Sequence, residues 1–182
     1  MKLLLSLLLA IVCLGLTALS FEAEELNFKL AKGYWEMDGL FHFASYVDEA
    51  VSIPIFFPIP ADSLCLQPKL LALEVMEDSL ASVSLTSQTK SGLYFVVNMP
   101  PQHFCTVRIA YSQELLGKSA SYIITTANAW GKPLNFASYK LVVDNGITVN
   151  KLPFPAQTQT EEGYYWEFYN FSPKGEFELE FY

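Results

Sequence analysis

The chain carries two histidines, His42 and His103, and three cysteines, Cys13, Cys65 and Cys105. His103 precedes Cys105 by two residues, a spacing that sends both side chains to one face of an extended strand. A Cys–His nucleophile also needs hydrogen-bond contact and a third group to orient the base. No such group is legible beside them. His42 sits in Phe41-His42-Phe43, opposite the apolar parity, and reads as a surface residue. Zinc asks for three or four ligands at recognisable spacing, so no metal is expected, and no cofactor either. Paired carboxylates can cleave glycosides. The acids with that potential are Glu36, Asp38, Asp48, Glu49, Glu74, Glu77, Asp78, Glu161, Glu162 and Glu167. Most fall at turns or on the polar parity of strands, where water solvates them. Glu77-Asp78 and Glu161-Glu162 have oxygen ligands for calcium but lack the spacing of a calcium loop. Glycine-rich phosphate loops, nucleophile elbows and zincin motifs do not occur. The chain reads as a non-enzyme.

Aromatic side chains offer a different chemistry. Tyr34-Trp35, Trp130 and the run Tyr164-Tyr165-Trp166-Glu167-Phe168-Tyr169 place rings on both parities of short strands. Both faces of one strand cannot enter the same core, so some rings must sit at an interface, under a loop or in solvent. Exposed planar rings bind sugars by apolar stacking, aided by nearby polar groups. Trp35, Trp130, Tyr165 and Trp166 are therefore the candidate ligand-binding residues, and burial between packed units is the competing reading.

The elements that must position these rings are strands. The 182 residues are 52% hydrophobic and 15% aromatic, a profile that excludes disorder. A formal charge of −8 disfavours nucleic acid, which needs a basic surface. Period-2 alternation runs through the chain, most plainly where Phe177, Leu179 and Phe181 alternate with Glu176, Glu178 and Glu180. Leu26, Phe28 and Leu30 alternate with Asn27 and Lys29 in the same way. Further strands are expected at 34–37, 40–47, 51–57, 69–76, 81–87, 93–98, 104–111, 121–126, 136–143, 147–152 and 163–169. Asp38-Gly39 and Asn145-Gly146 have the residue types of tight hairpin turns. The expected fold is all-β, an antiparallel immunoglobulin-like β-sandwich or two packed β units. Residues 21–111 would form the sandwich, Ser112 to Lys118 a linker, and 112–182 a smaller unit packed on it. The alternative is one domain over 21–182.

One segment permits a sharper expectation. In Ser52-Ile53-Pro54-Ile55-Phe56-Phe57-Pro58-Ile59-Pro60, four apolar residues share one parity and three prolines share the other. Residues of one parity also direct their N–H groups to one side. The missing donors of Pro54, Pro58 and Pro60 thus fall on a single edge, which cannot pair. Strand 51–59 is predicted to be an edge strand with Ile53, Ile55, Phe57 and Ile59 turned inward.

The second half carries a resemblance. Tyr122-Ile123-Ile124-Thr125-Thr126-Ala127 leads to Ala129-Trp130-Gly131-Lys132-Pro133-Leu134, and Trp166 is followed by Asn170-Phe171-Ser172-Pro173. Over 94–182 this resembles uncharacterised extracytoplasmic bacterial β-sandwich proteins. The resemblance implies an exported immunoglobulin-like protein and brings no activity with it.

Residues 1–20 agree with export. Lys2 precedes an apolar run from Leu3 to Leu16, and Ala18 and Ser20 stand at −3 and −1 of a small-residue cleavage site. That is the layout of a secretory signal peptide, and cleavage would leave a periplasmic or secreted chain without a membrane span. In an oxidising compartment Cys65 and Cys105 could form a bridge closing a loop of about 40 residues, contributing roughly 3–4 kcal/mol. Cys105 shares a parity with Val107, Ile109 and Tyr111, where a buried free thiol also packs well. The function expected from all this is an exported binding or scaffold protein whose aromatic surface contacts another envelope protein. The alternative is a carbohydrate-binding module using exposed tryptophans, with a saccharide as partner.

Overall fold

The computed structural model describes residues 18–60 and 66–182. Nearly all of the expected leader lies outside them, as does Cys65. Ser20, expected to precede the cleavage point, is the first residue of β1, opposite Ala44, and Leu19 is buried.

The described residues form thirteen strands: β1 (Ser20–Ala31), β2 (Tyr34–Ala44), β3 (Val51–Pro58), β4 (Lys69–Met76), β5 (Ser82–Thr89), β6 (Gly92–Met99), β7 (Phe104–Glu114), β8 (Ser119–Tyr122), β9 (Leu134–Val143), β10 (Val149–Lys151), β11 (Thr158–Thr160), β12 (Gly163–Phe171) and β13 (Phe177–Phe181). A short 3-10 helix, Thr125–Trp130, follows β8. A seven-stranded sheet runs in the order β11-β12-β9-β1-β2-β7-β4. Two three-stranded sheets, β10-β13-β8 and β3-β6-β5, pack on it. The fold is all-β and sandwich-like, as the alternation predicts. Every pairing is antiparallel except one seam, where β1 runs parallel to β9 with Glu24 opposite Ala137. Among the described residues no helix is long and apolar enough to cross a membrane.

Alternation explains the layering. Leu26, Phe28 and Leu30 of β1, Trp35 and Met37 of β2, and Tyr139 and Leu141 of β9 are buried on the inner face of the large sheet. Phe177, Leu179 and Phe181 of β13 cover one part of that face. The Phe177 ring stacks on Phe28 at 4.4 Å and meets Trp166 edge-on at 5.6 Å. Phe57 of β3 covers another part, meeting Phe41 edge-on at 5.4 Å. A single apolar cluster takes residues from all three sheets. Ser112–Glu114 belong to β7, and β1 lies between β2 and β9, so the large sheet draws strands from both sides of residues 112–118.

Two local expectations are corrected. Asp38-Gly39 is not a turn: β2 runs unbroken through it, with Gly39 opposite Leu26. A Cβ there would stand 2.7 Å from Leu26 Cδ2 and 2.8 Å from Phe41 Cε2, so the glycine makes room for neighbouring core side chains. The strand expected at 121–126 ends at Tyr122, and the chain turns into the 3-10 helix.

β3 behaves as its prolines dictate. Its ladder is with β6 alone, Pro54 opposite Val96 and Pro58 opposite Gly92, and it stands at the end of its sheet. Beyond the strand, the Ile59 N–H donates to Ser91 O at 3.0 Å, so the odd-numbered donors face the partner. Ile53, Phe57 and Ile59 are buried and Ile55 is half-buried. Gly92 (φ +150°) permits the close approach: a Cβ there would lie 2.2 Å from Phe57 O.

Candidate functional site

Between the two small sheets the large sheet is not fully covered. β3 and β8 each end their sheets, and neither pairs with the other. The gap between them is a cavity of about 530 Å³. Phe21 and Glu24 of β1, Phe41 and Phe43 of β2 and Ile109 of β7 form its floor. One wall is β3 from Ile53 to Pro58; the other is Tyr122, Ile123 and the 3-10 helix with Ala129 and Trp130. A β3 with N–H groups on its free edge could approach β8 as a ladder partner. Pro54 and Pro58 remove those donors, and both line the cavity. The prolines that protect the edge thus offer β8 no donors.

A bulge in β1 shapes the floor. The register with β2 shifts between Phe21 and Ala23. Strict alternation would send Phe21 and Glu24 to opposite faces. The extra residue turns both inward, as bulges do when they re-aim a side chain.

Glu24 is the acidic residue that lines the cavity among the described residues, and it is almost fully buried. Tyr139 OH donates to its Oε1 at 2.6 Å. Burial raises its carboxyl to about 7, and the Tyr139 hydrogen bond offsets only part of that rise. Glu22, two residues earlier, has the opposite fate. Partial burial pushes it up, but hydrogen bonds from Lys132, Ser20 and Tyr46 and the Lys132 charge bring it below the ordinary value. Lys132 Nζ is 2.7 Å from Glu22 Oε1, and Asn135 Nδ2 donates to Oε2 at 2.6 Å. The difference is a counter-ion. Glu22 has one, and no lysine, arginine or histidine lines the Glu24 cavity among the described residues.

The same contacts fix the wall. The 3-10 helix begins where Glu176 accepts from the Thr125 N–H (3.2 Å) and from the Thr125 hydroxyl. Asn128 Nδ2 donates to Pro173 O at 2.8 Å. Gly131 closes the helix in the left-handed region, φ +76°, and the Lys132–Glu22 pair ties the next residue to β1. Trp130 is held with its ring 5.8 Å from Phe21 and 5.6 Å from Phe43.

The four ring residues singled out by sequence do not form one site. Trp130 is half-buried and lines the cavity. Trp35 is wholly buried, stacked on Phe28 at 4.9 Å. Trp166 is wholly buried too, its Nε1–H donating to Pro155 O at 3.0 Å. Enclosed rings cannot stack on a sugar, so these two are corrected to core residues. Tyr165 lies on the opposite parity of β12 and donates to the Glu167 carboxylate. Sequence reasoning missed Glu24, although it stands in phase with Leu26, Phe28 and Leu30. An acid on an apolar parity was the available signal.

His42, His103 and Cys105 meet in a second depression of about 430 Å³. There His103 Nε2 pairs with Asp78 at 2.6 Å, while His42 bridges Thr106 (3.0 Å) and Glu25 (3.1 Å). Cys105 is a buried free thiol, pushed up to about 11 by burial and then by the Asp78 charge. A nucleophilic thiol needs the opposite shift. The groups here satisfy one another within the chain.

No protein-family profile and no curated protein sequence matches the chain. Solved structures do. A candidate nutrient-binding protein of Legionella pneumophila superposes with a TM-score of 0.60 at 12% identity, covering 91% of this chain and 67% of that one. Native yeast LTA4 hydrolase superposes with a TM-score of 0.51 at 9% identity, covering 84% of this chain and 27% of the enzyme. The chain therefore spans about two thirds of the first protein and about a quarter of the second. At these identities the likeness is one of fold.

Proposed function

We propose that the protein is an exported, non-enzymatic binding protein of the cell envelope. Its ligand is a small, largely apolar molecule held in the cavity between β3 and the 3-10 helix. The observation that carries this reading is the cavity itself: about 530 Å³ walled by aliphatic and aromatic side chains, within the size range of ligand sites. The fold shared with a candidate nutrient-binding protein supports binding as the general role, and the leader-like first twenty residues support export. A saccharide is the weaker alternative, because Trp35 and Trp166 are enclosed and only Trp130 is offered to a ligand. Titration of the purified protein with the neutral fluorophore N-phenyl-1-naphthylamine tests the reading. A saturable blue shift, with energy transfer from tryptophan that drops on Trp130→Phe, is expected. No enhancement at any concentration, or a tryptophan response to oligosaccharides alone, would overturn it.

A further inference from the structure

We propose that the cavity is built for an organic cation, an ammonium group on an apolar body, with Glu24 as its counter-ion and the rings of Phe21, Phe43 and Trp130 around it. This rests on the cavity being the binding site. A cavity serving any apolar molecule has no use for a buried carboxyl, which costs free energy to desolvate. Here one acid and no base line the space among the described residues. Tyr139 OH donates to Oε1, and the carboxyl lines the cavity beside Tyr122 and Trp130. An ammonium group supplies a hydrogen-bond donor together with the positive charge that the lining lacks.

The walls suit the same guest. Trp130 contacts Phe21 and Phe43 in tilted geometry, presenting ring faces and edges in one corner. Ring faces attract cations, and more strongly where water is excluded. An anionic guest would meet that π density and the Glu24 carboxylate with no compensating cation. Glu22, whose charge Lys132 already answers, leaves Glu24 as the open electrostatic position in this part of the fold.

Proton linkage follows from what surrounds Glu24. From β9 it faces the Tyr139 phenol and from β8 the Tyr122 phenol, both pushed above their ordinary range chiefly by burial and therefore neutral. Its register partners, Phe41 on β2 and Ala137 on β9, do not titrate. Glu24 itself, raised to about 7 by burial, is partly protonated at neutral pH before a cation binds. A cation binds the ionised form and releases that proton to solvent. Its affinity should rise with pH through about 7 and then level off.

Calorimetry on the wild-type protein with three probes of one shape decides the matter: phenethylammonium, propylbenzene and 3-phenylpropanoate. At pH 8 the ammonium should bind at least roughly tenfold more tightly than propylbenzene, and the carboxylate most weakly. Paired buffers at pH 7 should show proton release with the ammonium alone. In Glu24→Gln the ammonium-to-propylbenzene ratio should fall toward one, and the pH dependence should vanish. Equal affinity for the ammonium and propylbenzene, or a preference for the carboxylate, overturns the cation assignment while leaving the cavity reading intact. Binding of none of the three overturns both. The probe series needs no variant, so it decides even where Glu24→Gln does not fold.

Discussion

Two parts of the same inner face are rich in aromatic residues and end up in opposite states. Under β13, Phe28, Trp35, Tyr139, Trp166 and Phe177 close into a solid cluster, with Phe28 stacked on both Trp35 and Phe177. Under β3 and the 3-10 helix, Phe21, Phe41, Phe43, Phe57 and Trp130 surround a space. Ring content does not separate the two. What differs is the cover. β13 is a central strand carrying three buried side chains in strict alternation. β3 is an edge strand whose prolines present no backbone donors on its free side. A buried acid also sits in the floor of the open part, where an apolar residue would have favoured collapse. Aromatic-rich sequence thus marks core by default, and lines a cavity where an unpaired edge and a buried acid adjoin it.

The largest expected effect breaks the closed half. Phe177→Ala should cost about 3–5 kcal/mol, because it deletes a fully enclosed ring among five others. Trp130→Ala, a larger deletion in the open half, should cost only about 1 kcal/mol, since its ring already faces the cavity. Urea unfolding of the two variants measures the difference directly. Equal losses would mean that the cavity side is packed as tightly as the other.

The next effect sharpens the role of Glu24. Its folded-state carboxyl is raised, so its ionisation opposes folding. The stability present at pH 4 is lost as pH climbs from the ordinary glutamate range through about 7. Replacing the acid by Gln should leave stability near that of wild type at pH 4.5. At pH 8 the variant should be more stable by about 3 kcal/mol. A pH-independent difference between the two proteins would contradict the buried, uncompensated carboxyl.

The smallest effect on stability concerns the edge. Pro54→Val with Pro58→Val restores two donors on the free side of β3 and should change the unfolding free energy by under about 1 kcal/mol. Its consequence should appear in association. Analytical ultracentrifugation is expected to show concentration-dependent self-association absent from the wild type, because an exposed edge with donors recruits another strand. A variant that stays monomeric at every concentration would show that the prolines are not what guards the edge.

Much of this was legible in residue order. The alternation of Phe177, Leu179 and Phe181 marks β13, and the parity of Pro54, Pro58 and Pro60 fixes both the edge and the inward set of β3. The parallel β1–β9 seam was not legible, since it joins strands over a hundred residues apart and leaves no local pattern. Asp38-Gly39 misled because a glycine required by crowding looks, in sequence, like one required by a turn. The tryptophans misled for a related reason. Both parities of β12 carry rings, and only the covering sheet decides which of them is enclosed. The site was not legible because its defining residue, Glu24, gains meaning from the β1 bulge and from a lining without Lys, Arg or His among the described residues.

The central claim is that a cavity beside Trp130 receives a guest whose charged end meets Glu24. A crystal of the protein soaked in 4-bromophenethylamine tests it most directly. The account predicts a bromine anomalous peak between β3 and the 3-10 helix, with the amine within hydrogen-bond distance of a Glu24 carboxyl oxygen. A bromine peak elsewhere, or β3 and the helix closed together over an empty floor, would contradict it.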